Sequence, residues 1–487
     1  MANRCPSCGG TLHFDIQKQK LVCDYCESEF DPASIKEMEG AGESEAFGSE
    51  PVESEEGETI DAKIFTCPNC GAEVFATNLD AVEYCSYCGT FVTLESRLAK
   101  IQKPSYILPF TITKEKCLEI YKEKLQKSRF LPKDMKVENA EKVLHNTYIP
   151  FWVYNETLNE GARASFQTKE SWTSGNTRYT QEYNIDAKAT GTVDGIFYDA
   201  SATLDDRISE QIGNFSMDSL QPYNSSLMTG SYADVADVKP EVYNEDVYLR
   251  GSVALGQQVK ANIESTDRFS GTFRHSNSLS AVTTTQKGSE YAKVNAKLAM
   301  LPVWFMTFKN KNRLCYAVIN GNTGKMFSEI PSDLKKYALV SFLLSIPIFC
   351  IFEFLFTLMP GTVMLITGAI SLLMLIYRGF KLKALRKQEN REEDKGYQTL
   401  SSGGGNEAPS KPKAKKGFDF VLLISILAIA ASAYMIYSKM PNDILYYCAA
   451  FFNILATFLQ VASVVRAHNL SCSRPIPHFF DKRGEAK

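Results

Sequence analysis

The sequence predicts a multidomain protein: two small β zinc ribbons, a β-rich α+β cytoplasmic domain, and an α-helical membrane domain of four helices in two hairpins. Three observations predict it. A four-cysteine module occurs twice near the N-terminus, a long middle region alternates polar and apolar residues, and four apolar runs of near-membrane length fill the last third.

The first module is Cys5-Pro-Ser-Cys8, fourteen residues, then Cys23-Asp-Tyr-Cys26; the second is Cys67-Pro-Asn-Cys70, again fourteen residues, then Cys85-Ser-Tyr-Cys88. Two CxxC knuckles at this separation bring four thiolates around one tetrahedral Zn²⁺. Pro6 and Pro68 fix φ in the first knuckle of each copy, and Gly9, Gly71 and Gly89 allow the left-handed turn after a cysteine. Apolar positions also match between copies: Leu12 with Val74, Val22 with Tyr84, Tyr25 with Tyr87. The competing reading is two redox pairs or disulfides, but duplicated spacing has no origin in disulfide exchange and no secretory signal precedes Cys5. The expected cofactor is therefore Zn²⁺ at two structural sites, held by Cys5, Cys8, Cys23 and Cys26 (ribbon 1, residues 1–36) and by Cys67, Cys70, Cys85 and Cys88 (ribbon 2, residues 63–103). Four thiolates leave no open coordination position, so the metal supplies folding energy and no catalysis. His13 reads as a strand residue.

Between the ribbons, residues 37–62 hold ten Asp or Glu and no Lys or Arg, a composition that reads as a flexible, self-repelling linker between independently moving modules. The whole chain of 487 residues carries a net charge of −3. Residues 1–36 hold four basic and five acidic side chains, residues 63–103 four of each, and each Zn(Cys)₄ centre adds negative charge. A phosphate-gripping surface needs the opposite sign, so nucleic-acid binding is the alternative function and not the leading one.

A larger β-rich domain spans 104–334. Thr113 caps a helix with apolar residues Cys117, Ile120, Tyr121 and Leu125 at helical spacing. Residues 160–330 read mostly as strands, with helical stretches near 203–213 and 280–298. Tyr148-Ile-Pro-Phe-Trp152 recurs as Met300-Leu-Pro-Val-Trp304, an internal duplication whose tryptophans read as core. Asn320-Gly-Asn-Thr-Gly324 is a hairpin turn.

Apolar runs at 337–359 and 362–377 form the first expected membrane hairpin (337–378); runs at 418–437 and 444–465 form the second (418–465). A basic cytoplasmic linker, 379–417, joins them, and 466–487 is the tail. Lys335 and Lys336, Arg378 to Lys387, Lys411 to Lys416, Arg466 and Arg474 flank the hairpins on one side, whereas the two short turns carry only Lys439 against Asp443. The expected localisation is thus the cell membrane, multi-pass, with N- and C-termini cytoplasmic. Arg378–Lys387 and Lys411–Lys416 also suit contact with anionic lipid in the inner leaflet. Glu353 lies inside an apolar run and reads as snorkelling toward the interface. Cys117, Cys315, Cys350, Cys448 and Cys472 are scattered and read as apolar residues.

No GxxxxGK[ST], HExxH or GxSxG occurs, and the five histidines are not paired at ligand spacing; no catalytic residue is nominated and the chain reads as a non-enzyme. Its order of parts resembles a bacterial family of membrane proteins with TFIIB-type zinc ribbons. The matching stretches are the CPxCG knuckles, Ile107-Leu-Pro-Phe110, Tyr148–Trp152, Tyr198-Asp-Ala-Ser201, Pro222-Tyr223, Gly230-Ser-Tyr-Ala-Asp234, Leu301–Trp304, Asn320–Lys325 and Arg474-Pro-Ile-Pro-His-Phe-Phe480. Leu21-Val-Cys-Asp-Tyr-Cys26 is also similar to the zinc segment of the primosomal helicase PriA, but the NTPase motor is missing. The YdjG-like group within that resemblance implies cytoplasmic protein partners of phage-shock-protein-A-like or band-7/virion-core-like type, recruited to the membrane in envelope stress. The expected function is a non-enzymatic membrane-anchored zinc-ribbon adaptor; a transporter subunit is disfavoured by the scarcity of intramembrane ionisable residues.

Overall fold

The computed structural model describes residues 4–34, 59–75, 85–90, 95–128, 130–132, 135–213, 215–264, 274–275, 295–310, 313–355, 359–389, 419–438 and 442–475. Ribbon 1 is a three-stranded sheet: β1 (Leu12–Asp15), β2 (Lys20–Cys23) and β3 (Glu29–Phe30), antiparallel throughout. Leu12, Leu21, Cys5 and Cys23 make its small core.

The remaining strands form one mixed sheet. In chain order they are β4 (Thr59–Thr66), β5 (Glu73–Phe75), β6 (Glu95–Gln102), β7 (Tyr106–Ile107), β8 (Leu144–Ser174), β9 (Thr177–Asp199), β10 (Gln221–Pro222), β11 (Tyr232–Asp234), β12 (Arg274–His275), β13 (Asn295–Asn310), β14 (Arg313–Asn320), β15 (Met326–Ser328) and β16 (Arg474–Pro475). The order along the sheet is β10-β7-β13-β8-β11-β5-β4-β6, with β14 on the far part of β13 and β9 on β8. Its trunk is the antiparallel pair β8–β13.

The duplicated motif explains that trunk. Tyr148 stands opposite Pro302 and Pro150 opposite Met300, so the two copies lie side by side about the Ile149–Leu301 pair. Each proline lacks an N–H, yet its carbonyl still works: Pro150 O accepts from Ala200 N and Pro302 O from Gly321 N. Both tryptophans are core, as expected. Trp152 Nε1 donates to Val238 O and Trp304 Nε1 to Ile112 O, each at 2.8 Å, which satisfies the one polar atom that burial would otherwise strand. The turn at Asn320 also matches: Asn320 Oδ1 accepts from the backbone of Asn322 and Thr323, and Gly324 takes a positive φ.

Alternation sorts the trunk into two faces. Ile149, Phe151, Val153, Leu301, Val303 and Phe305 point to one side, Tyr148, Met300, Trp304 and Met306 to the other. Helix α1 (Lys114–Gln126), capped by Thr113 as predicted, covers the second face with Cys117, Tyr121 and Leu125. Helix α2 (Asp206–Ile212) and ribbon 2 cover the first. A further helix, α3 (Asn244–Glu264), packs along β8 and β9.

Four helices follow: α4 (Leu334–Leu355), α5 (Pro360–Glu389), α6 (Phe420–Ser438) and α7 (Asp443–Ser471). Among the described residues three stretches are long and apolar enough to cross a membrane: Pro360–Leu385, Phe420–Ser438 and Asp443–Ser471. They pack together, α5 against α7 and α6 against both.

Several expectations are corrected. The acidic linker was expected to run to 62, but Thr59–Ala62 already pairs with β6; the rest of that linker lies outside the described residues. The helical stretch near 280–298 is strand from Asn295, its earlier part lying outside the described residues. The basic linker from 379 begins as helix, because α5 continues to Glu389. The expected cationic run Lys411–Lys416 and the side chains of Cys350 and Glu353 fall outside what is described. Arg474, expected as a tail charge at the membrane, is buried and paired with β14 of the sheet.

Candidate metal centres

Each knuckle is built the same way. A backbone N–H after the second cysteine returns to the first cysteine's carbonyl: Gly9 to Cys5, Glu27 to Cys23, Gly71 to Cys67 and Gly89 to Cys85, at 2.7–3.0 Å. The residue that closes this turn has φ of 74°, 56°, 76° and 65° in the same order. Three of the four are glycine, for which that conformation carries no Cβ penalty; the fourth is Glu27.

The turns gather the sulfurs. Cys5, Cys8, Cys23 and Cys26 lie within 4.8 Å of one another, and so do Cys67, Cys70, Cys85 and Cys88. In ribbon 2 the Cys67–Cys88 and Cys70–Cys85 sulfurs stand 3.7 and 3.8 Å apart. A tetrahedron with Zn–S bonds of ~2.3 Å has edges of about 3.8 Å, so the quartet has the size of a Zn²⁺ shell. Ribbon 1 is slightly tighter, with Cys5–Cys26 at 3.5 Å and Cys8–Cys23 at 3.4 Å. All these spacings far exceed a disulfide bond, and all eight thiols are free. Hydrogen bonds within the second quartet, with Cys67 the principal partner, hold Cys70 and Cys85 above the usual thiol value, while those same bonds pull Cys88 below it. Four buried thiols cannot all ionise unless a cation compensates them, which is the electrostatic case for a divalent metal. Every predicted ligand is thus brought to its site. Both fit zinc, bound structurally.

The two ribbons differ in their surroundings. Ribbon 2 is inserted in the sheet: β4 and β5 are its first hairpin, and β5 pairs β11 at Ala233↔Phe75 and Asp234↔Val74. All four of its cysteines belong to the core with Ile149, Val303 and Phe305. Its second knuckle plugs the platform. Tyr87 is 2% exposed, packs edge-on to Phe305, and donates its phenol O–H to Asp234 Oδ2 at 2.6 Å. Tyr316 O–H donates to Tyr87 O at 2.5 Å, Thr307 O–H donates to Ser86 O, and the Ser86 and Thr147 hydroxyls are 3.4 Å apart. Ser201 O–H also donates to Asp234 Oδ2. Burial, reinforced by Asp237, pushes the Asp234 carboxyl up to about 7 against the lowering effect of these donors.

Ribbon 1 docks by its other end. Gln19 Nε2 in the β1–β2 turn donates to Phe110 O at 2.7 Å, Asn224 Nδ2 donates to Pro32 O at 2.9 Å, and Phe14 and Ile16 pack on the face that α1 covers. Independent movement of the two ribbons is therefore not what the contacts describe. Cys8, Cys26 and Tyr25 remain exposed.

Two groups of residues escaped sequence reasoning. The first is the Ser201–Asp234–Tyr87 cluster. Its signal was present in the Tyr198–Ser201 and Gly230–Asp234 stretches, but nothing in the sequence says that they converge. The second is Arg474, which forms a 2.7 Å ion pair with Asp205, lies near Glu329, and sits over the Tyr316 ring. With Arg313 bonding Ser473 and Leu470 O, it fastens the end of α7 to the sheet. Within the helices, Asn453 bonds Ser432, Gln460 bonds Ser371 and Ser425, and Arg378 bonds Asp419 and Ser463. Asn453 and Gln460 on α7, Ser425 and Ser432 on α6, and Ser371 and Arg378 on α5 are each seven residues apart, the spacing that keeps one face on a neighbouring helix.

The chain is similar to the uncharacterized protein YdjG of Bacillus subtilis (strain 168), 24% identical over 339 residues that make up 69% of this chain and 91% of that protein. No family model and no solved structure matches it.

Proposed function

We propose that the protein is a non-enzymatic, membrane-anchored adaptor that recruits a soluble protein partner to the cytoplasmic face. The observation that carries this reading is the split use of two closed Cys₄ modules: one is built into the platform, which is itself fastened to the membrane helices, and the other presents its knuckles outward. A platform tied to the bilayer raises the effective concentration of any protein that the exposed module holds, so a weak contact suffices. Closed thiolate shells offer no open metal position for catalysis.

Finer points belong to the same proposal. The resemblance to YdjG supports membership of a family with TFIIB-type ribbons, and phage-shock-protein-A-like or band-7/virion-core-like partners in envelope stress. Helix α4 takes in the first predicted apolar segment as far as Leu355, which supports a four-helix, multi-pass anchor in two hairpins with both termini cytoplasmic. Reporter fusions at residues 360 and 441 are expected to read the outer side; a cytoplasmic signal at 441 overturns this topology.

The function is tested by deleting residues 1–34, a cut that spares every strand of the platform sheet. The truncated chain should stay in the membrane while a soluble protein that sediments with wild-type membranes moves to the supernatant. Unchanged sedimentation would overturn the adaptor reading, and micromolar, salt-sensitive DNA binding by the full chain would reverse the ranking in favour of a nucleic-acid function.

A further inference from the structure

The duplicated ribbon offers the same knuckle twice, once buried and once bare. In Cys85-Ser-Tyr87-Cys88-Gly89 the tyrosine is a plug: 2% exposed, its O–H on the Asp234 carboxylate, its flanking carbonyls taken by Tyr316 and Thr307. In Cys23-Asp-Tyr25-Cys26-Glu27 the equivalent tyrosine lies over Gly10 and is 79% exposed. Ribbon 1 cannot use that knuckle on its own platform, because it docks there through Gln19, Phe14 and Pro32 at the opposite end.

A second, independent observation falls on the same five residues. The position that closes the turn is Gly in the other three knuckles and Glu27 here, at φ 56°. A side chain in the left-handed region costs stability, and strain that persists at an exposed site where glycine would relieve it points to a use for the side chain. The substitutions relative to ribbon 2 also have one sign. Ser86 is replaced by Asp24 and Gly89 by Glu27, beside a metal shell whose four thiolates outweigh Zn²⁺ by two charges.

We infer that the Tyr25 knuckle is the recruiting surface, and that its occupant is a basic protein surface with a slot for the phenol. An acceptor in that slot takes the Tyr25 O–H as Asp234 takes Tyr87's, and cationic side chains at the rim face Asp24 and Glu27. Charge complementarity of this kind sets specificity and association rate, while the buried aromatic carries the affinity. Asp24 keeps one oxygen on His13, at 2.9 Å, which holds it at the edge of the knuckle.

The inference rests on the adaptor reading, and its experiment separates the two. The full chain carries a photocrosslinking phenylalanine analogue at position 25 in cells, with a second chain crosslinked at exposed Lys18 as control. A soluble protein joined at 25 and not at 18 is purified and titrated against wild-type full chain in nanodiscs, and against Tyr25→Ala, Tyr25→Phe, Glu27→Gly and Asp24→Lys. The expected result is a net-basic adduct, affinity at least tenfold weaker for Tyr25→Ala, and severalfold weaker for Tyr25→Phe and Asp24→Lys. Glu27→Gly should also bind severalfold more weakly although its ribbon is relaxed, and affinity should fall with salt. All variants should retain two zinc ions per chain. If deletion of 1–34 releases a partner but Tyr25→Ala binds it as wild type does, the surface is wrong and the adaptor reading stands. If the adduct is a second copy of this chain, an acidic protein or a nucleic acid, the assigned occupant is wrong. If no adduct forms and the deletion releases nothing, both readings fail.

Discussion

Asp234 should make the stability of this protein fall as pH rises from 6 to 8.5. Its carboxyl is fully buried beneath ribbon 2, and burial together with Asp237 pushes it from 3.8 to about 7. An acid whose folded value is raised holds a proton that the unfolded chain has released. Its contribution is therefore complete below about pH 4 and is lost as pH climbs through 7. A shift of roughly three units amounts to about 4 kcal/mol in all, of which about 1.4 kcal/mol falls between pH 6 and 8.5. That window lies above the range in which protons compete strongly with zinc for the cysteines. Urea titration of the zinc-loaded full chain in micelles would measure it, with buried Trp152 and Trp304 as the fluorescent reporters and exposed Trp172 as a steady background. Asp234→Asn removes the titrating group and keeps an acceptor for Tyr87 and Ser201, so the slope should shrink to under a third and the variant should match or exceed wild type at pH 8.5. An unchanged slope in Asp234→Asn, or wild-type stability that rises over this range, would refute the reasoning.

Other outcomes follow from the same contacts. Metal analysis should find two zinc ions per chain; Cys5→Ser/Cys8→Ser and Cys67→Ser/Cys70→Ser should each leave one, and only the second pair should lower the platform's unfolding midpoint, since only those cysteines sit in the shared core. Glu27→Gly should stabilise ribbon 1 by about 1 kcal/mol, read as slower zinc loss to a chelator, because glycine accepts the positive φ without strain. Arg474→Met should destabilise the chain by about 3 kcal/mol in the same urea assay, because Asp205 loses its close counter-charge while Arg207 still pairs Glu329.

The metal sites were legible because their geometry is local. Two residues between cysteines, with a proline inside the first knuckle of each copy and a glycine after three of the four, determine each turn within five positions, and the repeat identifies the quartets without knowledge of anything else in the fold. Helix α1 was legible for the same reason: its cap and its apolar spacing are contained in thirteen residues. So was the duplicated Tyr148 and Met300 motif, although its consequence, two copies paired antiparallel about Ile149 and Leu301, belongs to the tertiary structure. What the sequence could not decide was which contacts ribbon 2 makes. Asp234 lies 147 positions from Tyr87, and Tyr316 lies 229 away, so only closure of the whole sheet brings them together. A tyrosine between two cysteines looks the same at 25 and at 87; whether it is a core residue or a surface depends on what packs over it. Arg474 teaches the same point for charge. By composition it is one more basic residue after a membrane helix, and only the meeting of α7 with β14 gives it Asp205 as a partner. The sequence by itself determined the metal chemistry and the apolar segments, since both are written in neighbouring residues; the tertiary structure alone decided which of two tyrosine-bearing knuckles is buried, because burial is a property of contacts between distant parts of the chain.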